Sequence, residues 1–320
     1  MKLVVLERNS VGTDIDVSGF EKFGQVTYYA NTLADNTAER VKDADIIIAN
    51  KVPLNESTLK DAPNVKLICL FATGFDNVDV EYCKNRGIKV ANVTNYCTPA
   101  VAQHTLLLAM ALSEKLAFYD DYVKSGTYSA QERFSNFDKP FGELEGKTWG
   151  IVGMGSIGHK VAALAEAFGC QVIFYSASGR STCTEYERVE FDDLLGRSDI
   201  LSLHCPLSDR TRNLIDKEAF RKMKKSAILI NVARGPVVNG QDLYDALMAG
   251  EIAAAGLDVL DNVPMEKDNP LGKIKDSTKL IITPHMSWAS TEARARLVGE
   301  VVKNIQAFTD GQDRNIVNVK

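Results

Sequence analysis

The sequence has little of what marks a membrane, secreted or nucleic-acid-binding chain. Its longest apolar stretches, such as Ile46-Ile47-Ile48 and Thr105 to Leu112, fall well short of the ~18 to 20 residues needed to cross a bilayer, so no membrane span is expected. Positive charge is not in excess: 37 Lys and Arg stand against 42 Asp and Glu, a formal charge of −5, which argues against a polyanion-binding surface and hence against a nucleic-acid module. The six cysteines, Cys69, Cys83, Cys97, Cys170, Cys183 and Cys205, include no C-x-x-C pair. Neither a disulfide framework nor a zinc motif is expected from them, and reduced thiols in a cytoplasm fit better. Cys69 and Cys170 stand among apolar neighbours and read as small core residues. The four histidines, His104, His159, His204 and His285, show no H-x-x-x-H or similar spacing, so no metal centre is expected. Met1 runs straight into Leu3 to Leu6 and then Glu7-Arg8, without the longer apolar region of a signal peptide, and this reads as a first strand.

What is present is alternation. Short β-branched runs at Leu3 to Leu6, Val26 to Tyr29, Asp45 to Ala49, Lys66 to Phe71 and Ile88 to Ala91 are separated by helical segments, a pattern that implies parallel sheets. Pro99 to Ala117 then reads as one long apolar helix, with Thr98 as N-cap and Pro99 at the first helical position. After a polar loop from Gly126 to Lys139, a second series of strands follows at Lys147 to Val152, Gln171 to Tyr175, Asp199 to His204, Ala227 to Val232, Ala253 to Val259 and Leu280 to Thr283. Ser290 to Asp310 closes the chain as an amphipathic helix through Ala293, Leu297, Val301, Ile305 and Phe308. The expected architecture is α/β, with two doubly wound parallel-sheet domains.

Gly153-Met154-Gly155-Ser156-Ile157-Gly158 lies between a strand and an Ala-rich helix, the setting that turns G-x-G-x-x-G into a dinucleotide-binding signal. The first glycine permits the tight turn, the second admits a pyrophosphate to the backbone N–H groups, and the third allows close helix packing. Such folds place an acidic residue about 20 residues further on to hold the adenosine ribose. Here the second strand ends Phe174-Tyr175-Ser176, followed by Ser178, Gly179 and Arg180. With no carboxylate to repel a 2′-phosphate, and with Ser176, Ser178 and Arg180 as donors, the expected cofactor is NADP in preference to NAD.

Three further stretches stand at strand ends: His204-Cys205-Pro206, Asn231-Val232-Ala233-Arg234-Gly235 and Pro284-His285. With the glycine motif and Ala72-Thr73-Gly74-Phe75-Asp76-Asn77-Val78-Asp79, they make the chain resemble, over essentially its full length, the D-isomer-specific 2-hydroxyacid dehydrogenases. Thr98 to Thr105 and Ser287-Trp288-Ala289-Ser290 are similar to the glycerate dehydrogenase/hydroxypyruvate reductase branch. The resemblance implies a Rossmann NAD(P)-binding domain over residues 100–288 and a discontinuous flavodoxin-like substrate domain over 1–99 and 289–320. It implies that Arg234 holds and polarises a 2-keto acid, which suits its planar fork, and that His285 exchanges the proton. Thr73, Gly74 and Phe75 would grip the carboxylate through backbone N–H groups. From its place just after His285, Trp288 suits an apolar wall beside the substrate and equally interface or core packing. Cofactor contacts are implied for Thr98, Gly153, Gly155, Ser156, Ile157, Gly158, His204, Cys205, Pro206, Val232 and Ala233, with Asp258 near the nicotinamide carboxamide. His104 and His159 read as structural. The implied activity is reduction of glyoxylate or hydroxypyruvate to a D-2-hydroxy acid by a homodimer. The apolar helix suits its interface and equally the junction between domains.

One departure stands out. Where this family carries a glutamate, or a glutamine in its formate dehydrogenase branch, before the proline that follows the Leu-Asp-Val stretch, this chain has Val263. Valine neither orients an imidazole nor stabilises its charged form. Asp261 or Glu266 replacing the carboxylate, an unassisted histidine working best in acid, and a nucleotide-sensing protein of low turnover all remain open, as does oxidation of a hydride donor such as formate or phosphite. On the pairing reading, Val263→Glu raises keto-acid reduction at neutral pH; no gain in steady-state rate there counts against it.

Overall fold

Runs such as Ile46-Ile47-Ile48-Ala49 and Leu67-Ile68-Cys69-Leu70 are apolar at every position and buried at every position, as strands covered on both faces must be. The computed structural model describes residues 1–318. In it the chain divides into two units, one formed by Met1–Cys97 with the chain from Ala289 onward, the other by Thr98–Trp288.

In the first unit, β1 (Lys2–Val5), β2 (Gln25–Tyr28), β3 (Ile46–Ala49), β4 (Leu67–Leu70) and β5 (Lys89–Ala91) lie in the order β2-β1-β3-β4-β5. All pairs are parallel, and the order is that of flavodoxin-like sheets. The helix Thr291–Thr309 begins at Ser290, whose hydroxyl accepts from the Ala293 amide. It is tied to this unit by buried Asn304, whose amide donates to the Asn92 carbonyl at 3.0 Å. The exposed edge of β5 is closed by the C-terminal segment: Ile316 bridges Ala91 in antiparallel fashion, while the Asn318 side chain accepts from Val90 N at 3.0 Å and donates to Ile88 O at 2.8 Å.

The second unit holds β6 (Thr148–Val152), β7 (Gln171–Tyr175), β8 (Glu187–Arg188), β9 (Ile200–Leu203), β10 (Ile228–Asn231), β11 (Ala254–Leu257) and β12 (Leu280–Ile282), ordered β12-β11-β10-β9-β6-β7-β8. Numbered from β6, this is the 3-2-1-4-5-6 order of dinucleotide-binding sheets with one further strand, and every pair is parallel. β8 has no counterpart in the sequence reading, because two exposed polar residues carry no β-branched run.

The helix expected over Pro99 to Ala117 is corrected at both ends. It spans Thr98–Ser113, so Thr98 is its first residue and not its N-cap. It stops because Lys115 takes a left-handed conformation with φ 55, after which Leu116–Lys124 forms a separate helix. Apolar continuity through Leu116 and Ala117 had masked the break. The long helix lies against the sheet: a side chain at Gly256 on β11 would meet Leu108 Cβ at 3.0 Å and Leu112 Cδ1 at 3.2 Å.

Because Asn318 stands in for a missing strand partner with two buried hydrogen bonds, Asn318→Ala lowers stability by about 2 kcal/mol. Thermal melts of the two proteins measure it; an unchanged Tm contradicts the role.

Candidate active site

Parallel pairing brings six strand ends into one row: Tyr175 pairs with Val152, Val152 with Leu203, Leu203 with Asn231, Asn231 with Leu257 and Leu257 with Ile282. Loops leaving this carboxyl edge are therefore neighbours at strand spacing, the place where such sheets bind ligands. After Val152 the chain turns at Gly153, with φ 96, where a side chain would stand 2.9 Å from Cys205 N and from the His204 carbonyl. Gly155 caps the helix Ser156–Ala167 and has nothing within 4 Å of where a Cβ would sit. At Gly158 a Cβ would come 2.3 Å from the Gly153 carbonyl oxygen. Turn, open approach and close packing thus fall on the first, second and third glycines, and the Ser156-Ile157 turn supplies helix-terminal N–H groups.

His204, the next residue in the row, sharpens this fit. Trp149 Nε1 donates to Ser202 Oγ at 2.9 Å, and that hydroxyl lies 3.0 Å from His204 Nε2. Ser202 Oγ thus links the buried indole to the imidazole. His204 Nδ1 is buried and has no hydrogen-bond partner among the described residues. Burial pushes the imidazole pKa down to about 3, so the ring is neutral. A buried ring nitrogen without a partner beside an open glycine turn is what a bound polar group satisfies, and these residues fit a dinucleotide. Cys205 is buried, which pushes its thiol up to about 11, and the Pro206 carbonyl accepts from Thr211 Oγ1.

At the end of β7, Ser176 is buried and its Oγ accepts from Ser181 N at 3.3 Å, while Ser178 Oγ accepts from Arg180 N at 3.3 Å. These bonds shape the loop. Of the three residues expected to meet a 2′-phosphate, Arg180 lines the adjoining cavity of about 470 Å³. Ser181 and Thr182, which the sequence reading does not name, line it too.

Across the row, Arg234 follows β10. Asn231, 1% exposed, brackets its loop by accepting from Ala233 N and donating to the Arg234 carbonyl, both at 3.0 Å. The guanidinium Nη1 donates to Ala233 O at 2.8 Å, and Val232 and Ala233 are buried beneath it. Gly235 leaves no room for a side chain, since a Cβ would sit 2.0 Å from Leu260 C and O. Asp258 follows β11 and is 1% exposed. Its Oδ1 accepts from Thr283 Oγ1 at 2.6 Å and from Met286 N at 2.8 Å, and its Oδ2 from Ser287 N at 2.8 Å. Those donors surround His285, which takes φ 55, donates its N–H to Thr283 O and receives Trp288 Nε1 on its carbonyl, both at 3.0 Å. A β-substituted residue in the left-handed region is strained, and the buried carboxylate holds it there.

The sequence profile of the D-isomer-specific 2-hydroxyacid dehydrogenase NAD-binding domain matches residues 106–287. The chain belongs to that family. It is similar to the hydroxypyruvate reductase of Blautia hydrogenotrophica, at 38% identity over 99% of this chain and all of the relative. It is likewise similar to the glycerate dehydrogenase of Methylorubrum extorquens, at 38% identity over 99% of this chain and 98% of the relative. Among solved structures it resembles an acyclic imino acid reductase in complex with NADPH and D-Arg, with a TM-score of 0.87, 28% identity, and 99% and 100% of the two chains covered.

In this dehydrogenase the second unit brings the glycine turn, His204, Arg234, Asp258 and His285 to one edge, with Thr98 opening the long helix of the same unit. Thr73, Gly74 and Phe75 belong to the first unit, where Thr73 Oγ1 donates to Val93 O and Asn92 Nδ2 to Thr73 O, both at 2.7 Å. These bonds engage the loop's hydroxyl and carbonyl, not its amides. Val263 is 55% exposed. Glu266 accepts from Asn262 Nδ2 at 2.8 Å, and burial raises the Asp261 carboxyl, with Arg212 opposing.

Sequence reasoning missed three supports, Asn231, Thr283 and His104. His104 reads as a structural helix residue, yet its Nε2 lies 2.9 Å from Thr283 Oγ1. The threonine proton goes to Asp258, so His104 donates, and burial holds its pKa low against the pull of Asp258. No spacing rule links positions on a helix and two strand ends. Asp258→Asn puts an amide N–H against donors, so we expect a loss of about 2 to 3 kcal/mol together with a fall in kcat of at least about ten-fold. Melting curves and steady-state rates test this; an unchanged kcat contradicts the bracing of His285.

Proposed function

We propose that this dehydrogenase interconverts small 2-keto acids of the glyoxylate or hydroxypyruvate type and the corresponding D-2-hydroxy acids with NAD(P)H. The observation that carries the reading is the pair of loops bearing Arg234 and His285, set two strands apart on the edge that also bears the glycine turn. The names of the relatives support the substrate class. Nicotinamide, when bound, supplies or takes back the hydride. Arg234 holds the carboxylate and keto oxygens, and its charge opposes the negative charge that develops on the reacting oxygen. His285 delivers a proton to that oxygen and recovers it in the reverse direction. Thr73, Gly74 and Phe75 take the substrate carboxylate on their amides, and Trp288, tied to the His285 carbonyl, forms an apolar wall.

NADP is the preferred cofactor in this reading. No carboxylate stands directly after β7, and the polar cavity there, which Glu185 also lines, has Arg180, Ser181 and Thr182 as donors suited to a 2′-phosphate. We assign cofactor binding to the unit Thr98–Trp288. A homodimer is favoured by Leu116, Val123, Phe134, Phe137 and Phe141, all more than half exposed. Half of the long helix's residues are buried, so this neighbouring face is the better interface. The cysteine usage, six residues with no C-x-x-C pair, suits a reducing cytoplasm.

Nicotinamide absorbance, followed with NADPH and NADH against glyoxylate and hydroxypyruvate over a pH series, tests the proposal. His285→Ala should cut turnover by about 10²-fold or more across the series. Tight cofactor binding without His285-dependent turnover overturns the hydroxyacid reading; a Kd for NADPH above that for NADH overturns only the cofactor preference.

A further inference from the structure

The cavity beyond β7 carries a chemistry that hydride transfer does not use. His159 stands in the first turns of the helix Ser156–Ala167, one residue after the last motif glycine, and Cys183 and Glu185 stand in the segment between β7 and β8. All three line the cavity, and one ligand atom from each, a ring nitrogen, the Sγ and a carboxylate oxygen, lies within 4.8 Å of the other two. No spacing in the sequence announces the group, because the helix and the segment meet only through the fold. His159 Nδ1 lies 3.0 Å from the Gly155 carbonyl. A carbonyl only accepts, so the ring proton sits on Nδ1 and the lone pair on Nε2. Donation of the second ring nitrogen to a carbonyl is how proteins fix a metal-binding imidazole.

We propose that His159, Cys183 and Glu185 form a site for a borderline-soft divalent cation of the Zn²⁺ class. Imidazole nitrogen, thiolate and carboxylate are its preferred donors, and three protein ligands leave a fourth position open. Binding displaces the thiol proton to solvent and forms the metal–sulfur bond, with no change of oxidation state. The cation ties the 183–185 segment to the helix that the glycine turn opens. It therefore occupies space that the cofactor reading gives to the adenosine end, and cation and NADPH oppose one another. The opposition rests on that reading; the binding does not.

Co²⁺ is the spectroscopic probe and Zn²⁺ the calorimetric one, both used on the intact protein. One equivalent of Co²⁺ should produce a thiolate-to-metal charge-transfer band that Cys183→Ala abolishes and Cys97→Ala, at the other partly exposed thiol, leaves in place. Glu185→Gln and His159→Gln should each weaken Zn²⁺ by more than about ten-fold. These side chains are exposed or partly exposed, and an unchanged melting curve for each variant verifies that the fold survives. Co²⁺ binding without the band, or Zn²⁺ affinity indifferent to all three substitutions, overturns the site. If the site binds Zn²⁺ but a saturating level leaves the Kd for NADPH unchanged, the site stands and the opposition is overturned. Neither result depends on turnover with a keto acid.

Discussion

The site depends on one constraint, the common register in which β6, β9, β10, β11 and β12 end. The strands Ile200–Leu203, Ile228–Asn231 and Ala254–Leu257 are buried throughout, so a one-residue slip would put each side chain into the covering layer fitted to its neighbour, which close packing resists. The packing on both faces therefore also fixes where their loops begin. Glycine turn, His204, Arg234, Asp258 and His285 are neighbours because their strands stop together.

Register alone would leave the loops free to wander, and buried polar groups remove that freedom. Asn231 closes the Arg234 loop on both sides, and Asp258 spends both oxygens on the turn that carries His285. A carboxylate this deeply buried is tolerated only with its hydrogen bonds made, so the bracket and the strained histidine backbone stabilise each other. His204 is the converse: its Trp149–Ser202 support is complete, while its outward nitrogen lacks a partner among the described residues. Satisfied groups build the frame, and the orphan marks where a ligand belongs.

Strands and glycine turn were legible because their signals are local: alternation of β-branched runs with helices, and three glycines between a strand and a helix. Arg234 and His285, the residues proposed to act on the keto acid, stand in short motifs at strand ends. Their braces were not legible, because an asparagine inside a strand, a threonine after a strand and a histidine on an apolar helix look alike whether they pack or support. The break at Lys115 was hidden for a related reason: its cause is a single left-handed residue amid helix-forming neighbours.

By itself the sequence determined the fold class, the two parallel sheets and the glycine turn, since each follows from periodicity or from side-chain chemistry at a short spacing. Only the tertiary structure decided which polar atoms are spent and which are left over. It turned Asp258 onto the His285 turn, left His204 Nδ1 unpartnered among the described residues, and gathered His159, Cys183 and Glu185 around one cavity. Hydrogen bonds and ligand sets of this kind join residues distant in sequence, and only the folded chain sets those distances.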